Sequence, residues 1–339
     1  MQGNKVVAVC LVIIVVFIGG VVLRLAKPVL FPFFLAIFLS FILYPVLDFL
    51  NRLHVPKAFS VIVLLIITFF IIYLLGALFY SSGKAFASEF PKYGQKISSI
   101  LTSIQEKFKL ESISWETIDW VAQLNINKIG GFFLSSIGPF FSFMSNLFLI
   151  FIFLVFILAG RGKTKEKIKK SFDDRRASKI IDVIQNIDSQ IQKYLVIKTI
   201  VSLITGILAT VVLMIFGVDF AIVFGFFTFL LNYIPTVGSI IATLMPLIIA
   251  AFQFDTLWTA FWILLILGSI QMTIGNFVEP KLMGEGLGLS PLVVLFFLFF
   301  WGWLWGIPGM ILAVPMAALI KIVCSNLPNL SFVGELMSK

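Results

Sequence analysis

Charge, histidine and cysteine are all scarce in this chain of 339 residues, and each scarcity closes off a class of function. Charged residues make up 12% of the chain, while 60% of residues are hydrophobic and mean hydropathy is +1.10. A soluble domain carries roughly a quarter charged and about half apolar residues, so an ordinary soluble fold is excluded. Two cysteines, Cys10 and Cys324, are too few and too far apart for a disulfide framework. The single histidine, His54, lies in a short polar loop, so no metal site and no cofactor are expected. That histidine is also the base an intramembrane serine protease would need, and it lies in a loop rather than within a span. No pair of aspartates occupies neighbouring apolar runs, as an aspartyl membrane protease requires. No Gly-rich loop ends in Gly-Lys-Ser/Thr, so ATP hydrolysis is not expected. The chain reads as a non-enzyme.

What is abundant is long apolar sequence. Residues 6–23 form an uncharged run that lacks a small-residue cleavage site and is followed at once by Arg24, Lys27 and Pro28. It reads as a first span rather than a signal peptide. Residues 29–47 and 58–80 follow as the second and third spans, with Pro28 and Pro32 in the first helical turn, where a missing N–H matters least. Residues 81–131 are polar and of mixed charge. Ile97, Leu101, Ile104 and Phe108 fall on one helical stripe there, and Ser114 opens a second short helix presenting Trp115, Ile118 and Val121. Such small amphipathic helices bury little alone, so they should pack on the spans or on a second subunit of a homo-oligomer. Residues 132–159 hold the fourth span.

The next segment orients the chain. Residues 161–179 contain nine Lys/Arg against Glu166, Asp173 and Asp174. A short basic loop beside a span is cytosolic by the positive-inside bias, and the net charge of +9 suits loops facing anionic lipid. Without interleaved aromatics the cluster does not read as a nucleic-acid site, and Asp173-Asp174 lacks the further carboxylate of a metal–diphosphate motif. Ile180, Ile184, Ile187, Ile191 and Leu195 then form the apolar stripe of an amphipathic helix lying in the interface or against other cytosolic parts and running into the fifth span, 195–216. Lys198 lies about one turn inside that span, where snorkelling to the cytosolic surface is expected. With residues 257–274 as a sixth crossing, the count places both termini inside and 81–131 outside. Arg24 and Lys27, placed outside, run against the bias.

Two further apolar stretches are broken. Residues 220–231 end at Asn232-Tyr233-Ile234-Pro235-Thr236-Val237-Gly238 and resume through 240–252. Residues 292–305 end at Gly306-Ile307-Pro308-Gly309 and resume to 320. Both breaks share Ile-Pro, a Gly-x3-Ala step (Gly238 and Ala242, Gly309 and Ala313) and a later proline (Pro246, Pro315). Fourteen helical residues rise only about 21 Å, short of a hydrocarbon core about 30 Å thick. Broken helices at matching places point to a transporter site, and the topology brings the two hairpins in from opposite faces. The tips, about 20 Å deep on this count, offer Asn232, Tyr233, Pro235, Thr236, Gly238 and Ser239 on one side and Gly306, Pro308 and Gly309 on the other. Gln271, Asn276 and Glu279 continue along the crossing between them. Asn232 and Gln271 also fit a second role as interhelical hydrogen-bond donors, and Trp301, Trp303 and Trp305 as an interfacial belt. Glu279 either binds or relays a cation, or caps its loop and pairs with Lys281.

The ordered motifs Asn232-x2-Pro235-x2-Gly238, Glu279-Pro280-Lys281-x2-Gly284, Gly288-Leu289-x-Pro291 and Gly306-x2-Gly309-Met310-x2-Ala313-x-Pro315 carry a resemblance. This block, from about Ile187 to Val323, resembles the autoinducer-2 exporter family of bacterial membrane transporters. The resemblance implies a polytopic helical transporter. Members are assigned to export of a small quorum-sensing signal or to sodium/proton exchange, so the cargo does not transfer.

The expectation is an all-α polytopic membrane protein with about six crossing helices, two Pro/Gly-broken hairpins and a small extracytoplasmic helical insert. It divides into spans at 1–80, the insert at 81–131, a span at 132–160, a cytosolic basic segment at 161–194, a transport core at 195–323 and a cytosolic tail at 324–339. The function expected is a secondary transporter of the plasma (inner) membrane that exports a small polar solute, such as a quorum-sensing signal, by alternating access at the two opposed broken hairpins; its partners are a small-molecule or ion substrate and the lipid bilayer, with no nucleic acid. The alternatives are a cation/proton antiporter and a non-transporting membrane scaffold. In a cysteine-free background, Ser99→Cys should react with an impermeant thiol reagent in intact cells and Ser171→Cys should not. Labelling of Ser171→Cys from outside would overturn the topology.

Overall fold

The computed structural model describes residues 2–56, 58–74, 76–77, 81, 137–160, 163–254, 256–284, 288–327 and 330–338. The expected insert at 81–131 lies, but for residue 81, outside the described residues. Regular structure among the described residues is helical: α1 (Gln2–Leu25), α2 (Lys27–Arg52), α3 (Ala58–Leu74), α4 (Ile137–Gly160), α5 (Lys163–Ser171), α6 (Asp174–Ile215), α7 (Ala221–Leu231), α8 (Val237–Gln253), α9 (Leu257–Thr273), a π turn (Ile274–Val278), α10 (Glu279–Met283), α11 (Pro291–Trp305), α12 (Ile307–Asn326) and α13 (Ser331–Leu336). Four stretches are long and apolar enough to cross a membrane: α2, α6, the continuous run Leu257–Met283 and α12. Leu147–Gly160 of α4 with Lys165–Ser171 of α5, bent by 61°, brings the count to five if that bent pair is one span. Phe148, Phe156, Leu292 and Phe299 are 71%, 72%, 76% and 68% exposed, which water would not tolerate as a set and lipid does. The protein is an all-α polytopic membrane protein.

The chain divides into two compact units that interleave along the sequence: residues 1–66, 145–200 and 279–339, and residues 67–144 and 201–278. In the first, α11 and α12 pack against each other, and α11 also touches α1. The chain folds back at Gly306, because the Met310 side chain lies against Gly302, whereas eight residues of uninterrupted helix would separate them by about 12 Å. Trp305 is fully buried between Phe31 and Phe34 of α2, and its indole N–H reaches the Leu23 carbonyl at 3.3 Å. The base is closed by α13, whose Gly334 packs on Ser325, while the Ser290 N–H donates to the Met337 carbonyl at 3.0 Å.

The second unit is centred on a cluster from α6, α7, α8 and α9, including Leu213, Phe224, Ala250, Ile263 and Leu267. α6 and α7 cross with backbones nearly touching. A Cβ on Gly225 would overlap the Thr210 hydroxyl and come within 2.7 Å of the Gly206 carbonyl oxygen. Small residues one turn apart, Gly206 and Thr210, make this approach possible, as at other membrane helix pairs. Gln253, at the end of α8, accepts from the Asp219 N–H at 2.8 Å and donates to the Gly217 carbonyl at 2.7 Å. It thereby satisfies the turn that joins α6 to α7.

The stripe from Ile180 runs into the fifth span as expected: α6 is continuous over 42 residues, about 63 Å at the α rise, so its first turns extend past the apolar layer along the same helix. Two local expectations differ from what is found. Asn276–Met283 is not part of the loop that reaches Ser290: the helix continues through the π turn into α10, and the loop starts at Gly284, whose φ of 67° ends the helix. A π turn fits Pro280, since the ring would clash with the carbonyl four residues back in a regular α helix. The second break is also narrower than expected. Only Gly306 is non-helical, with Pro308 and Gly309 already in the first turn of α12. α12 is 20 residues long, about 30 Å, enough to cross by itself, and the break lies beside the last turn of α1.

Gly225→Val should lower stability in detergent by about 1–3 kcal/mol through overpacking. Gly268, whose added Cβ would meet nothing within 4 Å, serves as the control: Gly268→Ala should melt at or above the wild-type temperature. Equal melting of both variants would show that the α6–α7 approach carries no energy.

Candidate functional site

Along α6 the residues Ile191, Tyr194, Leu195, Lys198, Val201, Ser202, Thr205 and Ala209 are all buried, the i, i+3, i+4, i+7 pattern of a helix packed on one face. Two polar members of that stripe, Lys198 and Ser202, each hold a candidate partner within their own unit. Lys198 places its Nζ 2.6 Å from Glu279 Oε1, with side-chain exposures of 6% and 18%. Ser202, fully buried, accepts at Oγ from the Asn232 amide at 3.0 Å.

The Lys198 pairing corrects two expectations. Lys198 does not snorkel, because a carboxylate waits beside it and the aliphatic stem is enclosed. Glu279 pairs neither with Lys281, which is exposed, nor with its own loop; the partner comes from 81 positions earlier in the chain. Lys193 lies beside Gly284 a little further along, so α6 and α10 run together here. An ion pair removed from water loses several kcal/mol of hydration per ion and stands only with close geometry.

At the first break, α7 stops at Leu231 and α8 resumes at Val237, so Gly238 and Ser239 belong to the first turn of α8 rather than to the gap. Tyr233 and Ile234 are buried with Asn232, and Tyr233 sets its ring edge-on to Phe229. A side chain on Gly238 would overlap the Leu231 carbonyl, which is why the chain can fold back here. Pro235 is half-buried and Thr236 exposed. Thr236 has φ 60° and ψ −59°, and the Val237 N–H donates back to the Pro235 carbonyl at 2.6 Å. This is the rare positive-φ form of the γ-turn, strained for a β-branched residue.

The remaining expected residues are more dispersed. Gln271 is half-buried, Asn276 exposed, and neither is joined to Asn232 or Glu279 by a hydrogen bond. Gly306 and Pro308 are exposed and Gly309 is buried against the Trp301 carbonyl. Gly306 has φ 75° and ψ −151°, a conformation open to glycine alone. Of the three tryptophans, only Trp303 is exposed, with the Arg24 guanidinium 5.7 Å over its ring, while Trp301 and Trp305 are core. Trp301 Nε1 is buried with no hydrogen-bond partner. Sequence reasoning missed Ser202 and the pairing of Lys198. A lysine inside an apolar run was the available signal, and the glutamate after Val278 its matching charge.

Interrupted helices and a buried ion pair in an all-α polytopic membrane protein are features that membrane transport proteins share. The chain belongs to the AI-2E transporter family: residues 11–329 match the family described as "AI-2E family transporter". It is 30% identical over 338 residues to the AI-2 transport protein TqsA of Escherichia coli (strain K12), covering 100% of this chain and 96% of that one. Two relatives named "Putative transport protein" are also similar. One, from Borreliella burgdorferi, is 34% identical over 94% of this chain and 86% of its own length. The other, from Haemophilus influenzae, is 32% identical over 93% and 91%.

Glu279→Gln leaves Lys198 as an uncompensated buried charge and should destabilise the protein by about 3–5 kcal/mol. Lys198→Met combined with Glu279→Leu should recover most of that loss. Thermal unfolding of the three variants in detergent measures the coupling, and a loss near zero for Glu279→Gln would show that water reaches the pair.

Proposed function

We propose that the chain is a secondary transporter of a bacterial-type inner membrane that exports a small polar solute by alternating access, with both termini cytosolic. The observation that carries this reading is the first break. A helix interrupted in apolar sequence places a buried amide, Asn232, and a strained Thr236 at one turn, and freed backbone at membrane depth is tolerated only inside protein or against a watery path. Asn232, Tyr233, Pro235, Thr236, Gly238 and Ser239 then line the path, with Gln271, Asn276 and Glu279 on the crossing helix and Gly306, Pro308 and Gly309 at the second break. The name of the E. coli relative supports autoinducer-2 as the first solute to try. The absence of hydrolytic motifs supports transport driven by gradients rather than by chemistry in this chain.

A second reading, cation/proton exchange, is favoured by one observation, the buried Lys198–Glu279 pair. Ionisable side chains within spans are uncommon and mark ion pathways.

Proteoliposomes loaded with labelled autoinducer-2, or carrying a pH-sensitive dye with an imposed sodium gradient, separate the two. Under the first reading Asn232→Leu abolishes solute efflux while the protein still inserts and melts within about 2 kcal/mol of wild type, the most an interhelical hydrogen bond contributes. Wild-type efflux from Asn232→Leu vesicles would remove the first break from the path.

A further inference from the structure

Glu279 is the first residue after the π turn Ile274–Val278. A π turn is an α turn carrying one extra residue, and such turns occur mostly at functional positions. If that residue is absorbed and the turn becomes α, everything downstream rotates by about 100°, one residue's share of a turn. The side chain brought opposite Lys198 would then be a neighbour of Glu279, and both neighbours, Val278 and Pro280, are apolar. While Gly275 is present, the ion pair and the π turn are therefore linked: the pair as seen, at 2.6 Å, exists only while the turn stays wide. The turn has room to change, because Gly275 has nothing within 4 Å of an added Cβ, and Gly275, Asn276, Phe277 and Val278 are exposed.

We propose that Lys198 and Glu279 form a latch, with the π turn as its joint, and that the latch must open in each transport cycle. Lys198 is then a positioning residue: it holds Glu279 and the end of the crossing helix in one of two registers. Opening frees a carboxylate for a proton or a sodium ion and an ammonium for a polar or anionic group of the solute. Among the described residues, Lys193 lies beside Gly284 and Lys281 is exposed, both cationic, so Glu279 is the carboxylate of α10 itself that a cation would meet. This inference rests on the transport reading for its role, and on geometry alone for its existence.

The full-length chain in nanodiscs, with Cys10→Ser and Cys324→Ser, carries Lys198→Cys and Glu279→Cys joined by a short bis-methanethiosulfonate linker that dithiothreitol cleaves. Linking should slow hydrogen exchange of the 274–284 backbone at least tenfold, and cleavage should restore it. Deletion of Gly275 turns the π turn into α without shifting Glu279. That variant should keep its pairing, read as wild-type linking yield after the same two cysteines are introduced, yet with Lys198 and Glu279 in place lose autoinducer-2 efflux or sodium/proton exchange in proteoliposomes at least tenfold. Exchange unchanged by the linker, or wild-type flux from the deletion variant, overturns the latch. If the wild-type chain moves neither probe, the transport reading fails, and the hydrogen-exchange arm still decides the latch without any solute.

Discussion

A backbone inside lipid has no water to bond, and every interruption of a helix here is shaped by that constraint. Where α6 gives way to α7, the Gln253 side chain supplies both a donor and an acceptor to the turn. Where α7 gives way to α8, the Val237 N–H turns back onto Pro235 and the Gly238 N–H onto Ile234. Where α11 meets α12, the gap has shrunk to Gly306, whose N–H still reaches the Gly302 carbonyl and whose own carbonyl receives the Met310 N–H. The breaks are thus not loose segments. Each is a compact device for reversing the chain while leaving few main-chain groups bare.

The same constraint applied to charge explains why α6 carries so much. One buried stripe supplies Lys198 to Glu279 and, a turn later, Ser202 to Asn232. A hydrophobic pair of similar volume would hold α6 and α10 together at least as well. Adhesion alone therefore does not account for an ion pair in such surroundings, and the latch proposed above would give it a mechanical role.

Much of the architecture was legible because lipid imposes long uncharged runs, and the two breaks were visible as Asn-x2-Pro and Gly-x-Pro interruptions of them. What failed were inferences that needed the third dimension. Pro280 and Glu279 look like loop residues in sequence, yet a widened turn keeps them helical. Lys198 looks like a snorkelling lysine because its carboxylate lies 81 positions away, beyond any local pattern. Trp303 and Trp305 look alike in sequence, but the helical period sets one toward Arg24 on the surface and buries the other under Phe31 and Phe34. Asn232 was readable as a polar residue at a break. Its partner, Ser202, was hidden in a span where serine raises no signal.

Thr236 bears on how readily the first break changes shape. A β-branched residue at φ 60° and ψ −59° holds strain of about 1–3 kcal/mol, and a factor of ten in population corresponds to about 1.4 kcal/mol. Any alternative arrangement in which Thr236 relaxes into an ordinary helical or extended conformation starts with that advantage, worth roughly five- to 150-fold in occupancy. The turn therefore acts as a preloaded spring, lowering the free-energy gap between the arrangement seen here and its rivals before any solute has bound.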